Sequence, residues 1–218
     1  MAKKTLRKGL FITFEGPEGS GKSTHAKRIY SYLKRKGYDC IFTREPGGTF
    51  VGEKIRSILL DRKNKGITLL TELFLFETNR SQVISEMIQP ALKKGRIVIC
   101  DRFSDSTIAY QGYAGGLPLK DIIKIDSIAT KGMKPDLTVL LDIDTKTGFK
   151  RALRKRQKDR MEAKSLNFHR RVRDGYLKLA EKDKKRIKLI KVKDDIEKTA
   201  SAVKKEIDLI LKKTGKKS

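Results

Sequence analysis

A glycine-rich stretch, GPEGSGKST at residues 16–24, directly follows the apolar run LFITFE. It fits the pattern G-x-x-x-x-G-K-[ST] and lies between a predicted strand and a predicted helix, which is the context that a phosphate-binding loop requires. In such a loop, glycines let backbone N–H groups converge on phosphate oxygens, and the positive end of the following helix adds to the attraction. The residues expected to contact the nucleotide are Gly16, Pro17, Glu18, Gly19, Ser20, Gly21, Lys22, Ser23 and Thr24. The sequence therefore predicts that this chain binds a nucleoside triphosphate.

Two side chains of this loop have specific predicted roles. Lys22 is placed to neutralise the β and γ phosphates, and Ser23 is placed to ligate Mg²⁺. A chance glycine turn would not explain why three glycines fall where a helix begins. Motors, GTPases and small-molecule kinases all share such a loop, so the loop alone does not define the activity.

Short apolar runs alternate with longer helical patterns along the chain. Strands that are apolar on both faces and separated by helices are typical of a parallel sheet covered on both sides. The predicted strands are LFITFE (10–15), DCIFTR (39–44), RIVICD (96–101), LTVLLDID (137–144) and RIKLIKV (186–192). The predicted helices span about residues 22–36, 52–61, 69–94, 120–131, 146–156, 168–182 and 196–212. This order indicates a doubly wound α/β fold.

The 218 residues include 52 Lys and Arg against 26 Asp and Glu, a formal net charge of +26. Such a field attracts phosphates, nucleic acid or anionic membranes, although solvated helix faces explain the same excess. Cys40 and Cys100 both lie in apolar runs, which indicates buried thiols of a reducing compartment. Glu15 interrupts the first apolar run too soon for a signal segment or a membrane span. We therefore expect one domain over residues 1–218, cytoplasmic and without a membrane, with a lysine-rich tail at about 202–218.

Polar motifs follow two further predicted strands. TREPGGT (43–49) ends the second strand, and CDRFSDSTIAYQGY (100–113) ends the third. Open α/β sheets bind ligands at the carboxyl ends of their strands. Three arginines associated with this sheet edge, Arg44, Arg80 and Arg102, can each offer a bidentate guanidinium to a phosphate. Asp101 follows the pattern of an apolar strand that ends in a Mg²⁺-coupled carboxylate, so Ser23 and Asp101 are the predicted metal ligands.

The loop with Glu18, TREPGGT, LFLFETNR and DRFSDSTIAYQG, in this order and spacing, resemble the thymidylate kinase family over about residues 10–180. The second and fourth motifs are much more specific than the phosphate loop. The resemblance implies a P-loop nucleoside monophosphate kinase, with a five-stranded parallel sheet and helices on both faces. It also implies the reaction of ATP and dTMP to ADP and dTDP with Mg²⁺, and a homodimer formed through the helix near 69–94.

The resemblance implies contacts to the base and phosphate of dTMP. Phe76 would stack on thymine, Arg80 would bind the base, and Arg102 would hold the phosphate. Pro46 can offer an apolar wall to the ring and its methyl group. From the residues alone, core packing explains Phe76 better than stacking on a ligand.

Further residues are implied around the sugar of dTMP. Tyr110 resembles the residue that stands against the ribose 2′ position, and Glu18 resembles the loop acid that contacts the 3′-hydroxyl. Ser106 and Gln111 resemble residues that line the base and sugar pocket, and Arg44 is included as a substrate-binding residue. A solvent-facing position explains Glu18 less well, because a carboxylate beside polyphosphate needs a hydroxyl to bond.

A basic segment, KRALRKRQKDRMEAKS at 150–165, has almost no bulky apolar residues, which indicates a mobile basic segment. The resemblance implies that this segment is a lid. One branch of the family carries an arginine in the phosphate loop, where this sequence has Gly19. The resemblance implies that the lid supplies this charge instead, from among Arg151, Arg154, Arg156 and Arg160. The residues expected to act in catalysis are Lys22, Asp101, Arg102, Arg156 and Arg160.

Two alternatives remain open at this point. Another P-loop nucleoside monophosphate kinase would keep the loop but change the base pocket, and TREPGGT and AYQG argue against it. A P-loop nucleic-acid-binding protein would suit the net charge of +26 and the lysine-rich ends. Such a protein is expected to carry aromatics on basic strands or a recognition helix. Aromatic residues make up only 7%, with no tryptophan, so we expect no nucleic-acid partner.

Overall fold

A central parallel sheet organises the molecule, in a computed structural model that describes residues 3–153 and 159–215. Its strands are β1 (Leu10–Glu15), β2 (Cys40–Arg44), β3 (Ile97–Asp101), β4 (Leu137–Asp142) and β5 (Ile187–Lys191). They lie in the order β2-β3-β1-β4-β5, and all four neighbouring pairs are parallel. Every residue of β1, β3 and β4 is buried, as expected of strands with helices on both faces. The prediction of a five-stranded parallel sheet is confirmed.

Helices connect these strands within the described residues. They are α1 (Lys22–Arg35), α2 (Phe50–Leu60), α3 (Leu69–Val83), α4 (Gln89–Lys93), α5 (Ser104–Thr107), α6 (Leu119–Thr130), α7 (Thr145–Leu153), α8 (Leu166–Lys182) and α9 (Ile196–Gly215). The predicted helix at 69–94 consists of α3, a π-helical segment (Ile84–Ile88) and α4. A second π-helical segment (Ile108–Ala114) extends α5.

The helical stretch from α5 to the second π-helical segment was not predicted as a helix. Its sequence is SDSTIAYQGYA, and Ser, Asp, Thr and Gly have weak helix propensity. Packing against α8 supplies the stability that local propensity does not, because Ala109 and Tyr110 share a buried cluster with Val172 and Tyr176. This stretch carries three of the residues that sequence analysis assigns to the substrate.

The core has a layer on each side of the sheet. Alternate residues of β1 point to opposite faces: Ile12 and Phe14 pack toward α1 and α9, whereas Phe11 packs toward α3 and α4. The sheet register places Asp101 of β3 beside Phe14 of β1 and Arg44 of β2. The carboxyl ends of these three strands therefore meet at one edge, which positions the site described below. No helix within the described ranges combines the length and hydropathy that crossing a membrane requires.

Candidate active site

The phosphate loop follows β1 directly and leads into α1. Gly16, Gly19 and Gly21 have φ angles of 146°, 73° and 82°, a region that side chains disfavour, and α1 begins at the next residue, Lys22. Ser20 is buried, and its Oγ has no hydrogen-bond partner among the described residues. A helix that begins directly after such a loop offers the free N–H groups of its first turn to an anion.

Lys22 and Glu18 form a buried pair in this loop. Lys22 Nζ lies 3.7 Å from Glu18 Oε2 and donates to the Pro17 carbonyl at 3.4 Å. Burial lowers the pKa of Lys22, and the nearby positive charge of Arg102 lowers it further. For Glu18, burial alone would raise the pKa, but Lys22 and Arg102 outweigh it and hold the pKa well below its usual range. Glu18 is therefore ionised at neutral pH between two cations.

Arg102 faces the phosphate loop from the end of β3, and its backbone has a φ of 74°, which is uncommon for a side chain of this size. Its Nη2 donates to Glu18 Oε1 at 2.5 Å and to the Tyr110 hydroxyl at 3.1 Å. Its Nη1 donates to Ser106 Oγ and to the Tyr176 hydroxyl, both at 3.3 Å. Both ends of the guanidinium are thus oriented by hydrogen bonds.

A second carboxylate, Glu15, lies behind these hydroxyls. Its Oε1 accepts from the Phe103 N–H at 2.7 Å, and its Oε2 accepts from Ser106 Oγ at 2.6 Å and the Tyr176 hydroxyl at 2.8 Å. Burial, with the nearby Asp105, raises the pKa of Glu15 to about 7. Sequence analysis missed both Glu15 and Tyr176. Glu15 ends a buried strand directly before the phosphate loop, which is a usable signal, whereas Tyr176 is one of several apolar positions on α8.

One cavity of about 340 Å³ joins the phosphate loop to the rest of the site. Its wall includes predicted residues from the loop and β3, namely Glu18, Lys22, Ser23, Asp101 and Arg102. It also includes the predicted substrate residues Arg44, Pro46, Phe76, Arg80, Ser106, Tyr110 and Gln111. Sequence analysis did not anticipate that Lys27, Glu45, Arg56, Asp159 and Glu162 line the same space. The structure therefore brings every predicted substrate residue to one cavity.

Arg80 is held by carboxylates on one side of this cavity. Its Nε donates to Glu45 Oε2 at 2.9 Å, while its Nη1 donates to Asp126 Oδ1 at 3.0 Å and also contacts Glu77. Arg80 is only 1% exposed, and its guanidinium lies 5.1 Å from the centre of the Phe103 ring. Burial and the neighbouring carboxylate Glu77 raise the pKa of Glu45 to about 8, although Arg80 opposes the shift. Burial thus opposes the ionisation of Glu45 even where it accepts a hydrogen bond from Arg80.

Arg44 and Asp101 differ in their hydrogen bonding: Arg44 is paired with a carboxylate, whereas one oxygen of Asp101 has no partner among the described residues. Arg44 is exposed, and its Nη2 donates to both carboxylate oxygens of Glu53, at 3.2 and 3.1 Å. Asp101 is 9% exposed, and its Oδ1 is buried without a hydrogen-bond partner among the described residues. An unpaired carboxylate oxygen beside a cavity is a suitable ligand for a hard cation.

Arg160 of the basic lid is paired with a carboxylate outside the cavity. Arg160 does not line the cavity; its Nη2 lies 2.6 Å from Glu72 Oε2, and its Nε donates to the Leu59 carbonyl at 2.7 Å. Gln111 donates to the other oxygen of Glu72 at 2.8 Å. Arg160 and Met161 are both buried, so this part of the segment packs against the fold through a partner that the local sequence does not reveal. That the segment is a mobile lid stays a prediction.

The remaining lid arginines give less support to the prediction. Arg154 and Arg156 lie outside the described residues. Arg151, near the end of α7, has Nη2 3.7 Å from Asp194 Oδ1. The residues of the phosphate loop that do not line the main cavity are Gly16, Pro17, Gly19, Ser20, Gly21 and Thr24.

A loop built to bind triphosphates and an arginine fork face each other across one cavity. This arrangement suits transfer of a phosphoryl group to a second nucleotide, and together with the sheet it defines a P-loop nucleoside monophosphate kinase. The chain belongs to the thymidylate kinase family, whose family model, described as "Thymidylate kinase", matches residues 14–203.

Individual relatives agree with this family. The thymidylate kinase of Clostridium novyi (strain NT) is 44% identical over 201 residues, covering 91% of this chain and 98% of the relative. That of Caldanaerobacter subterraneus subsp. tengcongensis is 49% identical over 183 residues, covering 84% and 87%. The crystal structure of thymidylate kinase from Ehrlichia chaffeensis superimposes with a TM-score of 0.76 at 36% identity, covering 92% of this chain and 99% of that chain. The predicted family, fold and activity are confirmed: the chain phosphorylates dTMP in nucleotide synthesis, with ATP as the phosphate donor.

Proposed function

We propose that the phosphate loop and Arg102 hold the two phosphates between which the γ-phosphoryl group of ATP moves to dTMP. The observation that carries this proposal is that Lys22 and Arg102 line one cavity and contact the same carboxylate, Glu18. Lys22 binds the β and γ phosphates of ATP, and Arg102 binds the phosphate of dTMP. Electrostatic stabilisation by two such cations accounts for most of the expected rate enhancement.

The acceptor needs little activation. A nucleoside monophosphate has a second pKa near ~6, so at neutral pH it is mostly a nucleophilic dianion. The barrier arises from repulsion between two anions, and buried cations reduce it. The reaction therefore needs no general base, and Asp101 would bind the metal rather than accept a proton.

On the nucleoside side, apolar and polar groups share the recognition. Phe76 and Pro46 form an apolar wall for the thymine ring, and Arg80 binds a polar edge of the base. Tyr110 excludes a 2′-hydroxyl by its position, and Ser106 and Gln111 complete the pocket. The support is that all of them line the same cavity and that hydrogen bonds orient the arginine.

Mg²⁺ is the metal that this donor set fits. Ser23 and Asp101 line the cavity, and Asp101 Oδ1 has no hydrogen-bond partner among the described residues. The described part of the chain contains no cluster of three His, Cys, Asp or Glu side chains suited to a metal. A Mg²⁺ ion usually takes one or two protein ligands and completes its shell with water and phosphate oxygens. When bound, it would neutralise phosphate charge, with Ser23 and Asp101 as its protein ligands.

The test is an ADP-release assay with a panel of nucleoside monophosphates. We expect turnover with dTMP, some with dUMP because one methyl group in an apolar pocket is worth only about 1–3 kcal/mol, and little with the others. We also expect a loss of most turnover in Lys22→Ala and in Arg102→Ala with an unchanged circular dichroism spectrum. Lys34→Ala is the matched control, since Lys34 is an exposed lysine in the last turn of the same helix. Near-normal dTMP turnover in folded Lys22→Ala or Arg102→Ala would refute these roles.

We also propose a homodimer through α3 and α6. Leu70 and Phe74 lie one turn apart on α3 and are 50% and 49% exposed, and Ile123 of the adjacent α6 is 55% exposed. Contiguous exposed apolar side chains of this kind mark interaction surfaces. Phe74→Glu should give a monomer in light scattering after size exclusion, whereas Leu209→Glu on α9, where Leu209 is 42% exposed, should not. A dimeric Phe74→Glu would contradict the proposal.

A cytoplasmic location without nucleic-acid partners completes the proposal. Cys40 and Cys100 are free and buried, and burial raises the pKa of both thiols, so neither is prepared for oxidation. Retention on single-stranded DNA that persists at high salt would argue against the expected absence of nucleic-acid binding.

A further inference from the structure

Glu15 is a buried carboxylate at the end of β1 for which the proposed mechanism has no role. It is 0% exposed, and its two oxygens accept three hydrogen bonds, from the Phe103 N–H and from the hydroxyls of Ser106 and Tyr176. A carboxylate that is buried so completely is retained only where its lone pairs are used. The three donors come from the β3–α5 connection, α5 and α8, so Glu15 joins segments that are distant in sequence.

The two hydroxyls connect Glu15 to Arg102. Ser106 Oγ and the Tyr176 hydroxyl lie 2.8 Å apart, and each accepts a hydrogen bond from Arg102 Nη1 at 3.3 Å. Both hydroxyls therefore bridge Glu15 and the guanidinium. We propose that Glu15 is a positioning residue that acts through Ser106 and Tyr176 to fix the guanidinium of Arg102. This inference rests on the role proposed above for Arg102.

The direction of the hydrogen bonds supports the proposal. A guanidinium only donates, so each hydroxyl must present a lone pair to Arg102. Donation of both hydroxyl hydrogens to Glu15 Oε2 achieves this, because the lone pairs are then free to face the arginine. An apolar or donating group in place of Oε2 would turn the hydroxyl hydrogens toward Nη1 and oppose its N–H groups.

The hydrogen bonds of Arg102 Nη2 cannot hold the guanidinium in place in the same way. Its Nη2 binds Glu18 and Tyr110, and both of these residues line the cavity where substrate is expected. Glu15 and Tyr176 are not among the lining residues, whereas Ser106 is, so the hydrogen bond between Glu15 and Tyr176 is separated from the substrate. We expect the link from Arg102 Nη1 through Tyr176 to Glu15 to persist when the cavity fills.

Glu15→Gln is the sharpest test, since it keeps the size of the side chain and replaces one acceptor oxygen by a donor. We expect kcat with dTMP to fall about 10- to 100-fold, the scale of a misplaced catalytic group, while KM for ATP changes little. In an Arg102→Ala background, the same substitution should lower kcat and dTMP affinity no further. An equal fold-loss in both backgrounds, or a wild-type kcat in Glu15→Gln, would overturn the proposal.

A structural control and a second variant keep the test decisive. Thr138→Val removes a buried hydroxyl that bonds Thr13 and Arg186 but not Arg102, so it should lower Tm and leave kcat unchanged. If Glu15→Gln does not fold, Tyr176→Phe replaces it, with an expected kcat loss of about 3- to 10-fold that disappears in the Arg102→Ala background. A loss that persists there would overturn the proposal.

The outcomes also separate this inference from the proposed function. If wild-type protein turns over dTMP and Arg102→Ala is impaired, but Glu15→Gln has the same effect in both backgrounds, only the role of Glu15 fails. If Arg102→Ala turns over dTMP at the wild-type rate, both the role of Arg102 and the inference drawn from it fail.

Discussion

Gly19 of the phosphate loop is packed so tightly against a neighbouring helix that no side chain fits there. A Cβ atom at Gly19 would lie 2.1 Å from the carbonyl oxygen of Gly148 in α7, and the backbone φ is 73°. Gly148 has the reciprocal contact, since its Cβ would lie 2.4 Å from the Glu18 carbonyl. The phosphate loop and α7 therefore touch backbone to backbone, and Gly19→Ala should force them apart.

Gly21→Ala provides a matched reference for the size of this effect. Gly21 has a similar φ of 82°, but the nearest atom to its Cβ would be 3.6 Å away, on the flexible His25 ring. Both variants carry the cost of a left-handed residue, about 1–2 kcal/mol, partly offset by a less flexible unfolded chain. Only Gly19→Ala adds the overlap with backbone, which at overpacked sites costs about 1–3 kcal/mol. We expect Gly19→Ala to be less stable than Gly21→Ala by that difference.

The measurement is urea unfolding of the ligand-free proteins, followed by far-UV circular dichroism because the chain has no tryptophan. For a chain of this length the difference corresponds to about 3 to 10 °C in Tm. Equal losses of stability in the two variants would show that the contact with Gly148 yields without cost, and the packing explanation would be wrong. Gly148→Ala should show the backbone overlap with the Glu18 carbonyl but not the left-handed cost, because Gly148 lies within α7 and its φ is not positive.

Three further perturbations test charges in and around the cavity. The pKa of Glu45 rises from 4.5 to about 8 on folding, so its contribution to stability is fully present below about pH 4.5 and is lost as the pH rises through about 8. Glu45→Gln should therefore flatten the pH dependence of the free energy of urea unfolding between these values, and an unchanged pH dependence would contradict this. Arg160→Met should lower the free energy of unfolding by about 3–5 kcal/mol because it leaves Glu72 buried without its cation, and the double variant Arg160→Met/Glu72→Gln should recover part of this stability. A loss of kcat in Arg160→Met without any loss of stability would instead support the predicted lid role. Glu18→Gln should lower the Tm of the ligand-free protein, because Lys22 and Arg102 lose their counter-ion. Sulfate should raise the Tm of this variant more than that of the wild type, and equal shifts would show that Glu18 does not offset the charge of the two cations.

The sheet and the phosphate loop could be predicted because each strand and the loop depend on residues that are consecutive in the sequence. The runs LFITFE and RIVIC are apolar on both faces, and glycines mark the loop wherever φ is positive. Strand ends then meet by topology alone, so Arg44, Asp101 and Arg102 could be assigned to one edge before any coordinates. Local pattern and general sheet geometry suffice for this part of the site.

Pairings between distant side chains could not be predicted in this way. Arg160 lies in a run of charges typical of a solvated lid, and only the fold shows that Glu72, 88 positions earlier, neutralises it at 2.6 Å. Tyr176 is likewise indistinguishable from core aromatics until its hydroxyl is found beside Glu15 and Arg102. In both cases the choice between a buried polar role and an ordinary one depends on which residue from a distant part of the chain lies against it.

The net charge of +26 is not what prepares this cavity for phosphate. Lys22 and Arg102 share Glu18, Arg80 is surrounded by carboxylates, and Arg44 is paired with Glu53. Cations buried together repel one another, and the carboxylates reduce this cost before substrate binds. We expect a phosphate that enters to take over the hydrogen bond of Arg102 that Glu18 accepts in the ligand-free protein. A carboxylate displaced in this way needs a donor, and a sugar hydroxyl is one that a nucleotide offers. We therefore expect Glu18, which stabilises the site before binding, to favour a phosphate carried on a sugar over phosphate alone.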